Sequence, residues 1–171
     1  MSGSASPLVV VMGVSAAGKS TVARLLATRL GTEFLDADDL HPTANRAKMS
    51  VGTPLTDEDR MPWLDKVGEA LAARSGDGAV IACSALRHVY RDRIRAQVPE
   101  AVFVHLQGSE PLLAARAAAR ADHFMPPSLL RSQLETLEAL TPDEVGVAVD
   151  VAPSPDVITR VAAEWLESHR T

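Results

Sequence analysis

The stretch GVSAAGKST, Gly13 to Thr21, constrains this chain most, because it matches the pattern G-x-x-x-x-G-K-[ST] in full. It follows the apolar run LVVVM and precedes residues with helical spacing, so we predict a strand, a loop and a helix. Glycines let such a loop wrap closely around an oxyanion, and the helix N-terminus adds partial positive charge. The loop is therefore predicted to hold the phosphates of ATP or GTP. Lys19 would reach the β- and γ-phosphates, and the Ser20 hydroxyl would ligate Mg²⁺.

Short apolar runs alternate with helical patterns along the rest of the chain. The predicted strands are residues 8–13, 33–38, 79–84, 101–106 and 145–151. This alternation is typical of a parallel sheet with crossover helices. The length of 171 residues and the 46% of hydrophobic residues suit one core, and no linker divides the chain. We therefore expect a single domain spanning residues 1–171.

Two helices can be placed closely from the sequence. The first is predicted to stop at Gly31 and to share one apolar face among Val22, Leu25, Leu26 and Leu30. The last is predicted to have Ser154 as its cap and Pro155 in its first turn. Its predicted buried stripe is Val157, Ile158, Val161 and Trp165.

Charge and composition narrow the possible partners. The 22 acidic residues outnumber the 17 Lys and Arg, and the formal net charge of −5 disfavours nucleic acid and anionic membranes. No apolar run approaches the roughly 20 residues that cross a bilayer. Cys83 is the single cysteine and lies in an apolar run, so we expect it to be buried. Because a single cysteine can form no internal disulfide, the chain suits a reducing compartment, and we expect a cytoplasmic protein.

The rest of the sequence favours a small kinase over other nucleotide-binding proteins. A GTP-dependent switch would need a guanine-reading N-K-x-D, which is absent, and the third strand candidate ends in Cys83 and Ser84 rather than in acidic residues. Small kinases of this type carry an acidic pair after the second strand, where Asp36 and Asp38 stand. In an extended segment both would point towards the carboxyl end of the strand. One would position Mg²⁺ and the other would accept a hydrogen bond from the acceptor hydroxyl, while Asp39 would cap a turn.

Residues 36–63 are predicted to bind the acceptor through short helices joined by loops. The segment is rich in charge but has little aromatic surface, so a polyhydroxylated acid suits it better than a nucleobase. Residues at the third strand end and in the following helix would line the opposite wall: Ser84, Arg87, Tyr90 and Arg91. Arg116 and Arg120 lead into a proline-bounded segment that is predicted to be a mobile lid, about residues 116–130.

Four motifs, in this order, resemble the thermoresistant-type gluconokinases, relatives of shikimate and adenylate kinases. They are GVSAAGKST, FLDADDLHPTANRAKMSVGTPLTDEDRMPWL, CSALRHVYRDRIR and HFMPPSLLRSQLETLE, and together they cover nearly the whole chain. The resemblance implies an α/β P-loop kinase fold: three αβα layers, a five-stranded parallel sheet and a mobile lid. It also implies that the protein phosphorylates D-gluconate at its 6-hydroxyl with ATP and Mg²⁺. Members of the family are commonly homodimers, so a homodimer is expected here.

The resemblance also implies roles for individual residues. ATP would be held by Gly13, Val14, Ser15, Ala16, Ala17, Gly18, Lys19, Ser20, Thr21, Arg116 and Arg120. The catalytic residues would be Lys19, Asp38 and Arg120, and Mg²⁺ would be held by Ser20 and Asp36. The substrate would be bound by Asp38, His41, Lys48, Arg60, Arg87, Arg91, His123 and Gln133.

Two alternatives stay open on the sequence alone. The first is a kinase of the same fold that acts on shikimate, another sugar acid or a nucleotide. The second is a non-catalytic regulator that binds ATP. Steady turnover with a small acceptor would separate these two classes.

Overall fold

A computed structural model, which describes residues 5–120 and 127–169, contains a five-stranded sheet with all strands parallel. The strands are β1 (Leu8–Met12), β2 (Glu33–Asp36), β3 (Ala79–Ala82), β4 (Val102–Gln107) and β5 (Gly146–Asp150). Their spatial order is β2-β3-β1-β4-β5. All five predicted strands are confirmed, although β2 ends two residues early, at Asp36.

The helices connect these strands as crossovers. They are α1 (Lys19–Leu30), α2 (Thr43–Ser50), α3 (Asp57–Ala72), α4 (His88–Gln97), α5 (Glu110–Ala119), α6 (Pro127–Thr136) and α7 (Pro155–Ser168). A short 3₁₀-helix, Ala37–Leu40, follows β2. The predicted acceptor segment therefore consists of the end of β2, the 3₁₀-helix, α2 and the start of α3, as expected. Residues 121–126, the middle of the predicted lid, lie outside the described residues.

The sheet separates two apolar cores, because side chains alternate between its faces. In β1, Val9 and Val11 pack on the side that holds α1 and α7. Val10 and Met12 pack on the other side, with α3 and α4. This arrangement confirms the three-layer αβα architecture.

The predicted helix ends are confirmed, but the buried stripe of α7 is partly wrong. Gly31 follows α1 with a φ of 68°, and the Ser154 side chain accepts a hydrogen bond from the Val157 amide. In α7 the buried residues are Ile158, Thr159, Ala162, Ala163 and Leu166. Val161 is 40% exposed, because the helix turns its small alanines towards its neighbour α1. Helical period alone did not decide which of two adjacent stripes faced inwards.

The strand order places three loops together at the carboxyl edge of the sheet. β3 lies between β1 and β2, so the ends of all three strands are neighbours. The Gly13 amide, just after β1, donates to the Ser84 carbonyl, just after β3, at 3.3 Å. Ligands of such folds bind at this edge. None of the helices within residues 5–120 and 127–169 has the length and apolar character needed to span a bilayer.

Candidate active site

The phosphate loop joins β1 to α1, and its two glycines are required by its shape. A Cβ at Gly13 would lie 2.8 Å from the Leu106 carbonyl oxygen, and Gly18 adopts a φ of 88° at the N-terminus of α1. Within the described residues, no side chain caps α1 and no acidic residue occupies its first turn. The first amides of α1 are thus left for an anion.

Lys19 lies over this loop. Its Nζ donates to the Val14 carbonyl at 3.1 Å, and burial lowers the pKa of its ammonium group. The charges of Asp38 and Asp36 act in the opposite direction and raise that pKa, while Arg120 lowers it. Both carboxylates and Arg120 therefore lie within electrostatic range of Lys19, and the structure brings these predicted residues together.

The acidic pair differs in geometry from the prediction. The strand ends at Asp36, whose Oδ1 accepts a hydrogen bond from the Asp38 amide at 3.0 Å. Asp38 lies in the 3₁₀-helix and not in an extended segment, and the cap of this turn is Asp36, not Asp39. Burial raises the pKa of Asp36. The early end of β2 thus gives the two carboxylates different surroundings, with Asp38 exposed and Asp36 half-buried.

Two of the predicted substrate residues, Arg60 and Arg87, meet around one carboxylate. Arg87 Nη1 lies 2.6 Å from Asp57 Oδ2, and the Tyr90 hydroxyl donates to Asp57 Oδ1 at 2.5 Å. Arg60 Nη1 donates to the same hydroxyl at 3.1 Å. The hydrogen bond from Tyr90 is the main cause that lowers the pKa of Asp57, and Arg87 and Arg60 add to it. Sequence reasoning assigned no role to Asp57 in arranging these arginines.

His41 and Lys48 belong to a second, adjoining network. His41 stacks on the Trp63 indole with ring centroids 4.2 Å apart, and Asn45 contacts both His41 and the Asp59 carbonyl. Lys48 Nζ lies 2.7 Å from Asp59 Oδ2. Lys48 thus has a local partner, and its predicted contact with substrate stays a prediction.

Arg91 requires a correction. Its side chain has no exposed surface, and it forms a bidentate ion pair with Glu144 at 2.7 and 2.9 Å. Its remaining donors reach the carbonyls of Ala85 and Ala139. In this structure Arg91 therefore joins α4 to the segment before β5 and has no surface with which to contact a substrate. Its place in the arginine-rich helix suggested the cleft, but α4 turns this position inwards.

Arg116 and Arg120 face a cavity of about 280 Å³ beside the phosphate loop. The other lining residues are Ala16, Ala17, Gly18, Thr21, Val22, Pro153, Pro155 and Ile158. One apolar side of this cavity comes from Pro153, just before α7, and from Pro155 and Ile158 in α7, which sequence reasoning did not assign to the nucleotide. The sequence feature that could have indicated this wall is the pair of prolines, Pro153 and Pro155, on either side of the α7 cap Ser154.

The two remaining predicted lid residues have different outcomes. His123 lies outside the described residues. Gln133, in α6, accepts a hydrogen bond from the Ser15 amide of the phosphate loop at 2.7 Å. The structure thus places Gln133 against the nucleotide loop, and its predicted contact with the substrate stays a prediction.

The predicted magnesium ligands offer hard oxygen donors. Ser20 is exposed in the first turn of α1, and Asp36 has one carboxylate oxygen, Oδ2, outside the capping bond. Across residues 5–120 and 127–169, no three or more His, Cys, Asp or Glu side chains group to form a metal site. A hydroxyl and a carboxylate fit Mg²⁺, which commonly takes few protein ligands alongside nucleotide phosphates and water.

Comparison with known proteins agrees with this geometry. The family model described as an AAA domain matches residues 8–140. A gluconokinase from Gluconobacter oxydans is 50% identical over 152 residues, which are 88% of this chain and 85% of that protein. One from Arabidopsis thaliana is 42% identical, covering 93% and 92%. The crystal structure of a gluconokinase from Sinorhizobium meliloti superposes with a TM-score of 0.89 at 48% identity, covering 96% and 94%.

Proposed function

This chain belongs to the gluconokinase family of P-loop kinases, and we propose that it transfers the γ-phosphoryl group of ATP to the 6-hydroxyl of D-gluconate. The products are 6-phospho-D-gluconate and ADP. The observation that carries this proposal is that Lys19, which follows β1, and Asp36 and Asp38, at and just after the end of β2, lie at the same carboxyl edge of the sheet. That grouping supports phosphoryl transfer, which needs a phosphate cradle and a carboxylate that can accept a hydrogen bond from the acceptor hydroxyl.

The residues divide the work on the phosphates. The amides of the phosphate loop and the start of α1 hold the phosphate oxygens, while Lys19 and Arg120 offset the charge that spreads over the transferring group. Arg116 and the cavity beside Pro153 and Pro155 receive the rest of the nucleotide. Ser20 and Asp36 would hold Mg²⁺, which neutralises charge on the phosphates when it is bound.

The acceptor lies on the other side of Asp38 in this proposal. Asp38 accepts the proton of the 6-hydroxyl and aims that oxygen at the γ-phosphorus. Arg60 and Arg87 recognise the acid group, because guanidinium groups pair with carboxylates in a fixed geometry. Asp57 stands in for that acid in the free enzyme, since it already contacts both guanidinium groups.

Three finer features belong to the same proposal. The enzyme uses Mg²⁺ with ATP, it acts as a homodimer, and it works in the cytoplasm, where its buried single thiol needs no oxidising compartment. Sedimentation equilibrium tests the dimer, and loss of turnover in EDTA with recovery on added Mg²⁺ tests the metal.

A coupled assay of ADP release tests the function. The acceptors are D-gluconate, shikimate, related sugar acids and nucleoside monophosphates, each with ATP and Mg²⁺. We expect turnover with D-gluconate, and phosphorus NMR of the product shows whether the phosphate is on the 6-position. Turnover with shikimate or a nucleotide but not with gluconate would replace this proposal by a different acceptor. Absence of turnover with every acceptor would leave an ATP-binding regulator.

A further inference from the structure

The His41 ring stacks on the buried indole of Trp63 and contacts the buried side-chain amide of Asn45. The planes of the His41 and Trp63 rings are 12° apart, and the indole Nε1 donates to the Ala37 carbonyl at 2.7 Å. Trp63 is only 4% exposed, so the packing around it restricts rotation of the indole ring. The stack restricts the plane of the imidazole.

Asn45 restricts the protons of the same ring. Asn45 is 3% exposed, and its Nδ2 lies 2.9 Å from the Asp59 carbonyl oxygen. A carbonyl oxygen can only accept, so the amide nitrogen of Asn45 must face it, and this settles the orientation of the amide. The same nitrogen lies 3.2 Å from His41 Nδ1. Its second hydrogen therefore points at Nδ1, which must accept and so carries no proton.

A neutral imidazole with a bare Nδ1 carries its proton on Nε2. Among the residues that the structure describes, none hydrogen-bonds to His41 Nε2, and the ring is half-buried at the edge of the acceptor segment. The Nε2–H group is thus the polar group of the ring that is left for a ligand, and it is a donor.

We propose that Asn45 is a positioning residue that holds His41 as the Nε2–H tautomer, so that His41 donates a hydrogen bond to an oxygen of the acceptor. This inference rests on the proposed function for the identity of that acceptor, a polyhydroxylated acid. In this inference Asn45 acts only through His41 and does not itself contact the acceptor.

The charges around the ring agree with this assignment. Burial is the main cause that lowers the pKa of His41. Arg46, from α2, and Arg60, from α3, lower it further, while Asp38, from the 3₁₀-helix, raises it. The ring is therefore neutral at pH 7.5, and Asn45 decides which nitrogen carries its single proton.

Nitrogen NMR of the wild-type protein tests the tautomer directly. In ¹⁵N-labelled protein at pH 7.5, a two-bond ¹H–¹⁵N spectrum distinguishes protonated from bare ring nitrogens. The chain has five histidines, and a His41→Gln variant identifies the peaks of His41 by their loss. We expect Nε2 protonated and Nδ1 bare. A His41 ring with a proton on Nδ1, either as the other tautomer or as imidazolium, would overturn the inference without any activity measurement.

The Asn45→Asp variant tests the cause. A carboxylate accepts and cannot donate, so we expect it to draw a proton onto Nδ1 and to raise the pKa of His41. The matched control is Ala44→Asp, which adds the same charge to the same turn of α2 on its exposed side. We expect the control to leave the His41 spectrum unchanged. If Asn45→Asp also keeps the wild-type spectrum, Asn45 does not set the tautomer and the inference fails.

Kinetics distinguish a positioning role from a purely structural one. At a pH where the spectrum of Asn45→Asp shows a neutral His41 with its proton on Nδ1, the loss of the Nε2–H donor should raise the KM for gluconate about tenfold. The KM for ATP should stay within about twofold of wild type, because the phosphate loop is untouched. A rise in both constants would indicate general damage and reject the positioning role. Failure of wild-type turnover with gluconate would instead reject the proposed function, while the tautomer result would stand on its own.

Discussion

At the scale of single residues, the site depends on which charges are free and which are already paired. Asp38 is exposed, and no hydrogen bond to its carboxylate is present among the described residues. Arg60 and Arg87, by contrast, already contact Asp57, so a substrate carboxylate must compete with that residue. In the proposed complex, the hydroxyl end of the acceptor therefore meets the carboxylate of Asp38, which is unpaired in the part of the chain that the structure describes. The acid end meets Arg60 and Arg87, which are already paired with Asp57.

Replacing Asp38 by Asn should lower kcat by at least about 10²-fold, because an amide cannot accept the hydroxyl proton. Steady-state kinetics measure kcat, and calorimetry with a non-hydrolysable ATP analogue checks that nucleotide binding survives. Asp39→Asn is the matched control, since it removes an equal charge from the adjacent exposed residue. Near-wild-type turnover of Asp38→Asn would reassign Asp38 to orientation or structure.

Replacing Arg60 by Ala should raise the KM for gluconate by about tenfold or more, since a charge-assisted hydrogen bond to the acid group is lost. Its effect on the KM for ATP should be small. Arg93→Ala serves as the control, because Arg93 pairs with Asp65 away from this cluster. An unchanged KM for gluconate would show that Arg60 does not pair with the substrate carboxylate.

At the scale of elements, α6 is connected to the phosphate loop through one side chain. Gln133 Oε1 accepts a hydrogen bond from the Ser15 amide, which lies in the loop predicted to hold the phosphates. A helix that follows the predicted lid is thus linked directly to the nucleotide loop.

Replacing Gln133 by Glu should weaken ATP binding by about tenfold, because the carboxylate repels the nucleotide phosphates at short range. Gln133→Ala should have a smaller effect, since it removes the contact without adding charge. Calorimetry with a non-hydrolysable ATP analogue measures both. The control Ser132→Glu places the same charge on the adjacent, exposed position of α6. Equal affinities for Gln133→Glu and Ser132→Glu would mean that Gln133 does not act at the phosphate loop.

At the scale of the whole molecule, buried or partly buried ion pairs join segments that are separated in the sequence. Glu144 receives hydrogen bonds from Arg91 and Arg95, which join α4 to the segment before β5. Burial by itself would raise the pKa of Glu144, but the hydrogen bonds from Arg91, the Thr141 amide and Arg95 prevail and lower it to about 2. The hydrogen bond from Lys48 is the main cause that lowers the pKa of Asp59 to about 2.

These shifts predict acid sensitivity. A carboxyl whose pKa is lower in the folded state binds fewer protons there, so its contribution to stability is complete above its unfolded pKa. Those unfolded values are 4.5 for Glu144 and 3.8 for Asp59. The stability contributed by these two carboxyls should therefore be complete above about pH 5 and be lost towards pH 2, and the lowered pKa of His41 adds a loss that begins below its unfolded value of 6.5. Urea unfolding at fixed pH values measures the free energy of unfolding, and a flat profile down to pH 3 would contradict the prediction.

Much of this molecule follows from local patterns. The motif G-x-x-x-x-G-K-S, the five apolar runs and the helix caps at Gly31 and Ser154 each depend on residues close in sequence, and each is found where expected. The acidic pair was placed correctly, but its conformation was not. Whether β2 continued through Asp38 or ended at Asp36 depended on a side-chain cap that a strand pattern does not reveal.

The sequence by itself determined the fold class, the phosphate loop and the polar character of the acceptor segment, because short-range spacing and residue chemistry specify them. Only the tertiary structure decided which polar residues are available for substrate. Arg87 and Arg91 stand four positions apart in one motif, yet one remains partly exposed beside Asp57 and the other is buried against Glu144. That difference arises from Asp57, 30 positions before Arg87, and from Glu144, 53 positions after Arg91, whose charges and packing no local pattern contains.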